Sequence, residues 1–260
     1  MAASRTVEVL DRTGGFGAQV VRRRLLETIQ HTLDVHKNLE AIQPGGAGWE
    51  ASVRVRLLHT AVRRRILALA KEKPEYYDVE KHGIPVNDLD TIGTINTFST
   101  TVTFIGLPRQ GVFLTEQEIA DYLAHWRYIG YIMGVPDDWC SDPDKAKAMM
   151  ESLLISEFKP TKKSQVLANN IIHGLEGHPP LYGSRGFLVA ITWWLNGKQL
   201  AQELDIEKPS LYHQALVATQ CWYFIFFGFL ARWSKFFDER TINVSSHCFP
   251  NREIEANVSF

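Results

Sequence analysis

Cysteine is scarce: Cys140, Cys221 and Cys248 are all that 260 residues hold, an odd number with no Cys-x-x-Cys pair. That argues against a disulfide framework and against a zinc finger. An excess of one charge is also lacking. Lys plus Arg number 28 against 29 for Asp plus Glu, so no global field points to nucleic acid or an anionic surface. The loops of several large enzyme classes are absent: no Gly-x-Gly-x-x-Gly follows a strand, and there is no Gly-x-x-x-x-Gly-Lys-Ser/Thr, no His-Glu-x-x-His and no Gly-x-Ser-x-Gly. No Glu stands three residues before any His, so the paired Glu-x-x-His of di-iron bundles is missing.

Long apolar runs are few. The N-terminus has no apolar core of the length a secretory signal needs, which leads us to expect an intracellular protein. The longest run, 215–231, contains Thr219, Gln220 and Gly228 and is closed by Arg232 and Lys235. It falls short of the roughly 20 residues that span a bilayer and reads first as a helix buried in a helical domain. Trp222-Tyr223-Phe224 with Trp233 keep a second reading open, membrane contact through 215–231 at the endoplasmic reticulum. Asn243-Val-Ser and Asn257-Val-Ser match the glycosylation pattern but carry little weight without a signal.

What is present is helical periodicity, in a chain with 45% hydrophobic and 22% charged residues. Apolar residues recur on one face over 19–39 and again over 49–70, across a turn at Pro44-Gly45-Gly46-Ala47-Gly48. Segment 74–90 reads as a loop. Segment 89–105 is rich in Thr, Ile, Val and Phe, but the spacing of Ile92, Ile95, Phe98 and Val102 predicts a helix. Thr115 with Glu118 forms a capping box that opens a helix over 116–133, ended by Gly134-Val-Pro136. Further helices are expected at 143–157, 164–175, 186–204 and 210–235, with an irregular last stretch. The expectation is a single all-α domain over 1–260.

The informative stretch is Arg54-Val-Arg56-Leu-Leu-His59-Thr-Ala-Val-Arg63. Arg56, His59 and Arg63 share one stripe of a helix. With Val55 and Val62 as neighbours, His59 faces the interior, where a neutral imidazole can ligate a metal. The arginines above and below it could pair with the propionates of a haem. On the preceding helix Arg24, Thr28 and His31 form a second stripe. Interior Arg and Thr need partners, either an anionic cofactor or an acid such as Asp90 or Glu118. The runs Arg22-Arg23-Arg24 and Arg63-Arg64-Arg65 are not interleaved with aromatics, so no nucleic-acid partner is expected. His173 and His178 sit in a Gly- and Pro-rich stretch at a spacing unlike a metal pair. Without Cys-x-x-Cys-His, covalent c-type haem is excluded.

Taken in order, Arg24-xxx-Thr28, Arg56-xx-His59-xxx-Arg63, Gly83-Ile-Pro85 with Asp90-Thr91, Thr94 and Phe98-Ser99, then Tyr122-xxx-Trp126-Arg127-xx-Gly130 with Gly134, resemble the catalytic domain shared by latex-clearing protein (rubber oxygenase) and the fungal ER-bound oxygenases of meroterpenoid biosynthesis. The resemblance covers residues 8–240 or so. It implies a globin-like helical core and a non-covalent haem b. In this chain His59 would be the iron ligand, Arg24, Arg56 and Arg63 would hold the cofactor, and Arg24 and Thr28 would serve catalysis. The implied activity is oxidation or cleavage of C=C bonds in an apolar, isoprenoid-like substrate by O2, a dioxygenase type of reaction.

Where rubber-cleaving relatives can carry a Lys as a further iron ligand, this chain has Glu27. Glu8 stands near the spacing of a family acid proposed as base. Relatives also carry helices upstream that this chain is expected to lack. The rival reading is a non-catalytic helical lipid- or membrane-binding protein that kept the fold.

Overall fold

The computed structural model describes residues 1–179 and 182–233. Cys248, Lys235, the sequences at Asn243 and Asn257 and the expected irregular tail lie outside the described residues. The described chain is all-α, with no strand beyond an isolated bridge between Ala3 and Phe158.

The helices are α1 (Ser4–Arg12), α2 (Val21–His36), α3 (Ala47–Glu72), α4 (Val79–His82), α5 (Asp88–Phe98), α6 (Leu107–Arg109), α7 (Glu116–Met133), α8 (Pro143–Ser156), α9 (Lys162–Leu175), α10 (Arg185–Asn196), α11 (Lys198–Glu203) and α12 (Leu211–Trp233). The pair α2–α3 carries the site, and α3 also packs on α7. Behind them Val35, Ile95, Leu123, Trp126, Ile129 and Ile132 form the main core. A smaller one joins Ala168 and Ile172 of α9 to Val189 of α10 and Ala201 of α11.

The capping box at Thr115 and Glu118 is formed, and Gly134 ends α7 in the left-handed conformation at φ 76°. Three local expectations are corrected. Segment 89–105 is not one regular helix: α5 ends at Phe98, and a π-helical turn spans Val102–Gly106. The hydroxyls of Ser99, Thr100 and Thr103 donate to carbonyls four residues back, in competition with the regular backbone bonds of the helix. Segment 186–204 breaks at Gly197, whose φ of 84° cannot continue a helix. The loop at 74–90 contains a 3₁₀ turn, Pro74–Tyr76, and the short α4.

The burial expected for α12 is also corrected. It packs on α10 through Val217 and Cys221. Trp222 and Phe226 remain 71% and 59% exposed. Its far end is tied down by Arg232, whose Nη2 donates to Glu118 Oε2 at 2.7 Å and to the Phe113 carbonyl at 3.1 Å.

On α7 the Nε2 of His125 is buried without a hydrogen-bond partner, and its ring lies 4.7 Å from that of His36. Burial, helped by His36, pushes its pKa from 6.5 down to about 4. Between these values the unfolded chain binds a proton that the folded His125 refuses, so stability is lost as pH falls through this window. We expect the urea midpoint to drop from neutrality to pH 4, and His125→Phe to flatten that slope. An unchanged slope in the variant refutes this account of His125.

Candidate active site

The site begins with how closely α2 and α3 approach. A Cβ on Gly48 would lie 2.8 Å from the Asp34 carbonyl oxygen and 3.0 Å from the Val35 Cα, so only glycine allows the two backbones this near. Away from that contact the helices part around a cavity of ≈ 560 Å³. Arg24, Thr28 and His31 of α2 line it, as do Val55, His59 and Val62 of α3. Trp126 of α7, Phe98 of α5 and Leu153 of α8 supply apolar wall. α1 closes the remaining side with Val7, Val9 and Leu10.

His59 is half-buried, and its ring makes no hydrogen bond among the described residues. Burial first, then the charges of Arg63 and Arg24, hold its pKa below the usual histidine value, so it is a neutral nitrogen donor at pH 7. His31 is likewise held down, chiefly by burial, against the opposing charge of Asp34. Arg24 reaches Glu27 at 3.0 Å, not the expected Asp90 or Glu118. An i,i+3 partner on the same helix is simply nearer. Asp90 instead accepts from Asn87 N to cap α5, and its carboxyl is pushed up by burial despite that bond. Thr28 Oγ1 donates to the Arg24 carbonyl at 2.9 Å.

Arg56 and Arg63 are not among the lining residues. Arg56 Nη1 donates to the Ile132 carbonyl at 3.2 Å, at the C-terminal end of α7 where a cation is favoured. A Cβ on Gly134 would lie 2.8 Å from the Arg56 Cζ. Arg63 Nη2 donates to the Val86 carbonyl. Val86 lines the cavity with φ at 54°, a strained position for a β-branched residue. Arg63 therefore fixes a piece of wall from outside it.

Glu8 opens on a different, larger groove of ≈ 1160 Å³, not on the cavity. Burial would raise its carboxyl, but hydrogen bonds from Lys163 (2.6 Å) and Arg12 (2.7 Å) outweigh this and hold it below the usual range. His173 closes the last turn of α9, whereas His178 lies in the loop beyond it. Among the described residues no group of three or more His, Cys, Asp or Glu could hold a metal ion.

Residues 2–232 match the family described as ER-bound oxygenase mpaB/B'/Rubber oxygenase, catalytic domain. The chain belongs to this family. No curated protein and no solved structure matches it. Membership makes it an oxygenase-type catalytic domain, and Arg24, Thr28 and His59 line one cavity of it. Among the described residues no helix is long and apolar enough to cross a membrane.

The motif stripes pointed to α2 and α3, but two wall residues and one behind the wall escaped sequence reasoning. Arg5 of α1 pairs with Glu157 at 2.8 Å, and both line the cavity. Ser52, which holds the ring of His31, carried no signal of its own.

Proposed function

We propose that this oxygenase domain binds haem b and uses O2 to oxidise or cleave C=C bonds of an apolar, isoprenoid-like substrate. The observation that carries the reading is the unpartnered, neutral His59 ring on a cavity of ≈ 560 Å³ whose other walls are largely apolar. That volume suits a ligand the size of a porphyrin. In this reading His59 ligates the iron. Arg24, and Arg5 across the cavity, offer guanidinium groups to the two propionates. Bound there, haem would supply the iron that activates O2.

The chain's own residues do the rest. Trp126, Phe98 and Leu153 exclude water and give a greasy chain its surface. Thr28, its hydroxyl hydrogen directed to the Arg24 carbonyl, presents oxygen lone pairs to the cavity and can only accept there. Arg56 and Arg63 serve by fixing α3 against α7 and against Val86. The test is a visible spectrum with a pyridine haemochrome assay on the purified chain. About one haem b per chain supports the reading, and a chain that stays colourless after reconstitution refutes it.

The exposed aromatic face of α12 favours a second reading, in which the protein rests on a lipid surface with or without catalysis. Trp222, Tyr223 and Phe226 offer the amphipathic rings that settle at a bilayer interface. The chain is expected to float with neutral phosphatidylcholine liposomes, and Trp222→Ser with Phe226→Ser to abolish flotation while helicity is kept. Flotation equal in the double variant would exclude α12 as the contact.

A further inference from the structure

His31 is held in one tautomer by a short relay. Its Nε2 lies 3.0 Å from Ser52 Oγ, and Ser52 Oγ donates to the Gly48 carbonyl at 2.7 Å. A hydroxyl has one hydrogen to give. Ser52 must therefore accept from Nε2–H, which leaves the lone pair of the neutral ring on Nδ1. Ser52 is fully buried and is not part of the cavity lining, so it supports His31 from behind.

The charged arginine and glutamate side chains of the wall are paired, and Asp90 and Thr28 each make a hydrogen bond. Glu27 pairs with Arg24 and Arg23, and Glu157 with Arg5. Asp90 caps α5, and Thr28 donates to the Arg24 carbonyl. His31 lines the cavity, and Nδ1 is its nitrogen left without a hydrogen bond. The two imidazoles are also close enough that charge on His59 disfavours charge on His31.

We propose that His31 is the proton acceptor of this cavity, taking through Nδ1 a proton from a molecule bound at the metal that His59 holds, with Ser52 as its positioning residue. This rests on the haem reading above. The probe is hydrogen cyanide, a weak acid that is protonated at neutral pH. On binding, its C–H bond breaks, the electron pair on carbon forms the bond to ferric iron, and the proton passes to Nδ1. Nothing is oxidised or reduced.

The experiment has two parts. In the chain without haem, ring ¹⁵N shifts of His31 should report the Nε2–H tautomer, and Ser52→Ala should turn it into a mixture. In the haem-loaded chain at neutral pH, His31→Leu should slow cyanide association about tenfold or more with haem content unchanged. Ser52→Ala should slow it less. An Nδ1–H tautomer in the wild type, or equal cyanide rates in His31→Leu, overturns the proposal and leaves the haem reading standing. A wild-type chain that takes up no haem overturns both.

Discussion

His59→Ala is expected to leave the purified chain without stoichiometric haem, the Soret band falling from about one haem per chain to near background. The size of the effect follows from the donor count. The cavity's other imidazole, His31, is anchored through Nε2 to the buried Ser52 and so is not free to take His59's place. The His59 ring is free of any hydrogen bond that the substitution would break, so the fold should survive. Circular dichroism should therefore be unchanged, and added imidazole should restore colour by filling the space left. A variant that keeps one haem with an unaltered spectrum removes His59 as the ligand.

Trp126→Ala should be the most damaging single change to the fold. Its side chain is 1% exposed and stacks on Phe98 with centroids 5.2 Å apart. It faces the core on one side and the cavity on the other, so truncation merges a packing defect with an existing void. Surroundings that already border a cavity cannot collapse to fill it. A Trp to Ala change in such a place costs about 3–5 kcal/mol, against a total stability of about 5–15 kcal/mol. Urea titration should show that loss. A change below about 1 kcal/mol would mean that Trp126 is not the partition between core and cavity.

Much of the scaffold was legible because it rests on local chemistry. The apolar stripes of α2, α3 and α7 are periodic, and the Thr115–Glu118 box is a contact three residues long. Periodicity gave each of the Arg24–Thr28 and His59 stripes a face of its own helix, whereas their sharing of one site was expected from the family resemblance alone. What escaped depends on distant partners or on competition. Nothing within α1 shows that it forms a cavity wall, since its seat is on α9. Arg56 and Arg63 could not be told from cavity residues by spacing, because what draws them away is the carbonyls of Ile132 and Val86. Ser52 looked like any helix serine, and its importance appears only once His31 is seen beside it. Glu27 as the partner of Arg24 was within reach of the i,i+3 rule, and the expectation looked too far away.

The seating of α1 has a consequence for how the chain is built. Arg5 finds Glu157 across 152 positions, and Glu8 finds Lys163 across 155. Loop closure over such distances is slow and precedes any reward from the contacts it makes. Synthesis runs from the N-terminus, so α2 and α3 can pair long before α8 and α9 exist. Although α1 leaves the ribosome before α2 and α3, it is thus among the last helices to settle, and until it does the pocket between α2 and α3 stands open on that side.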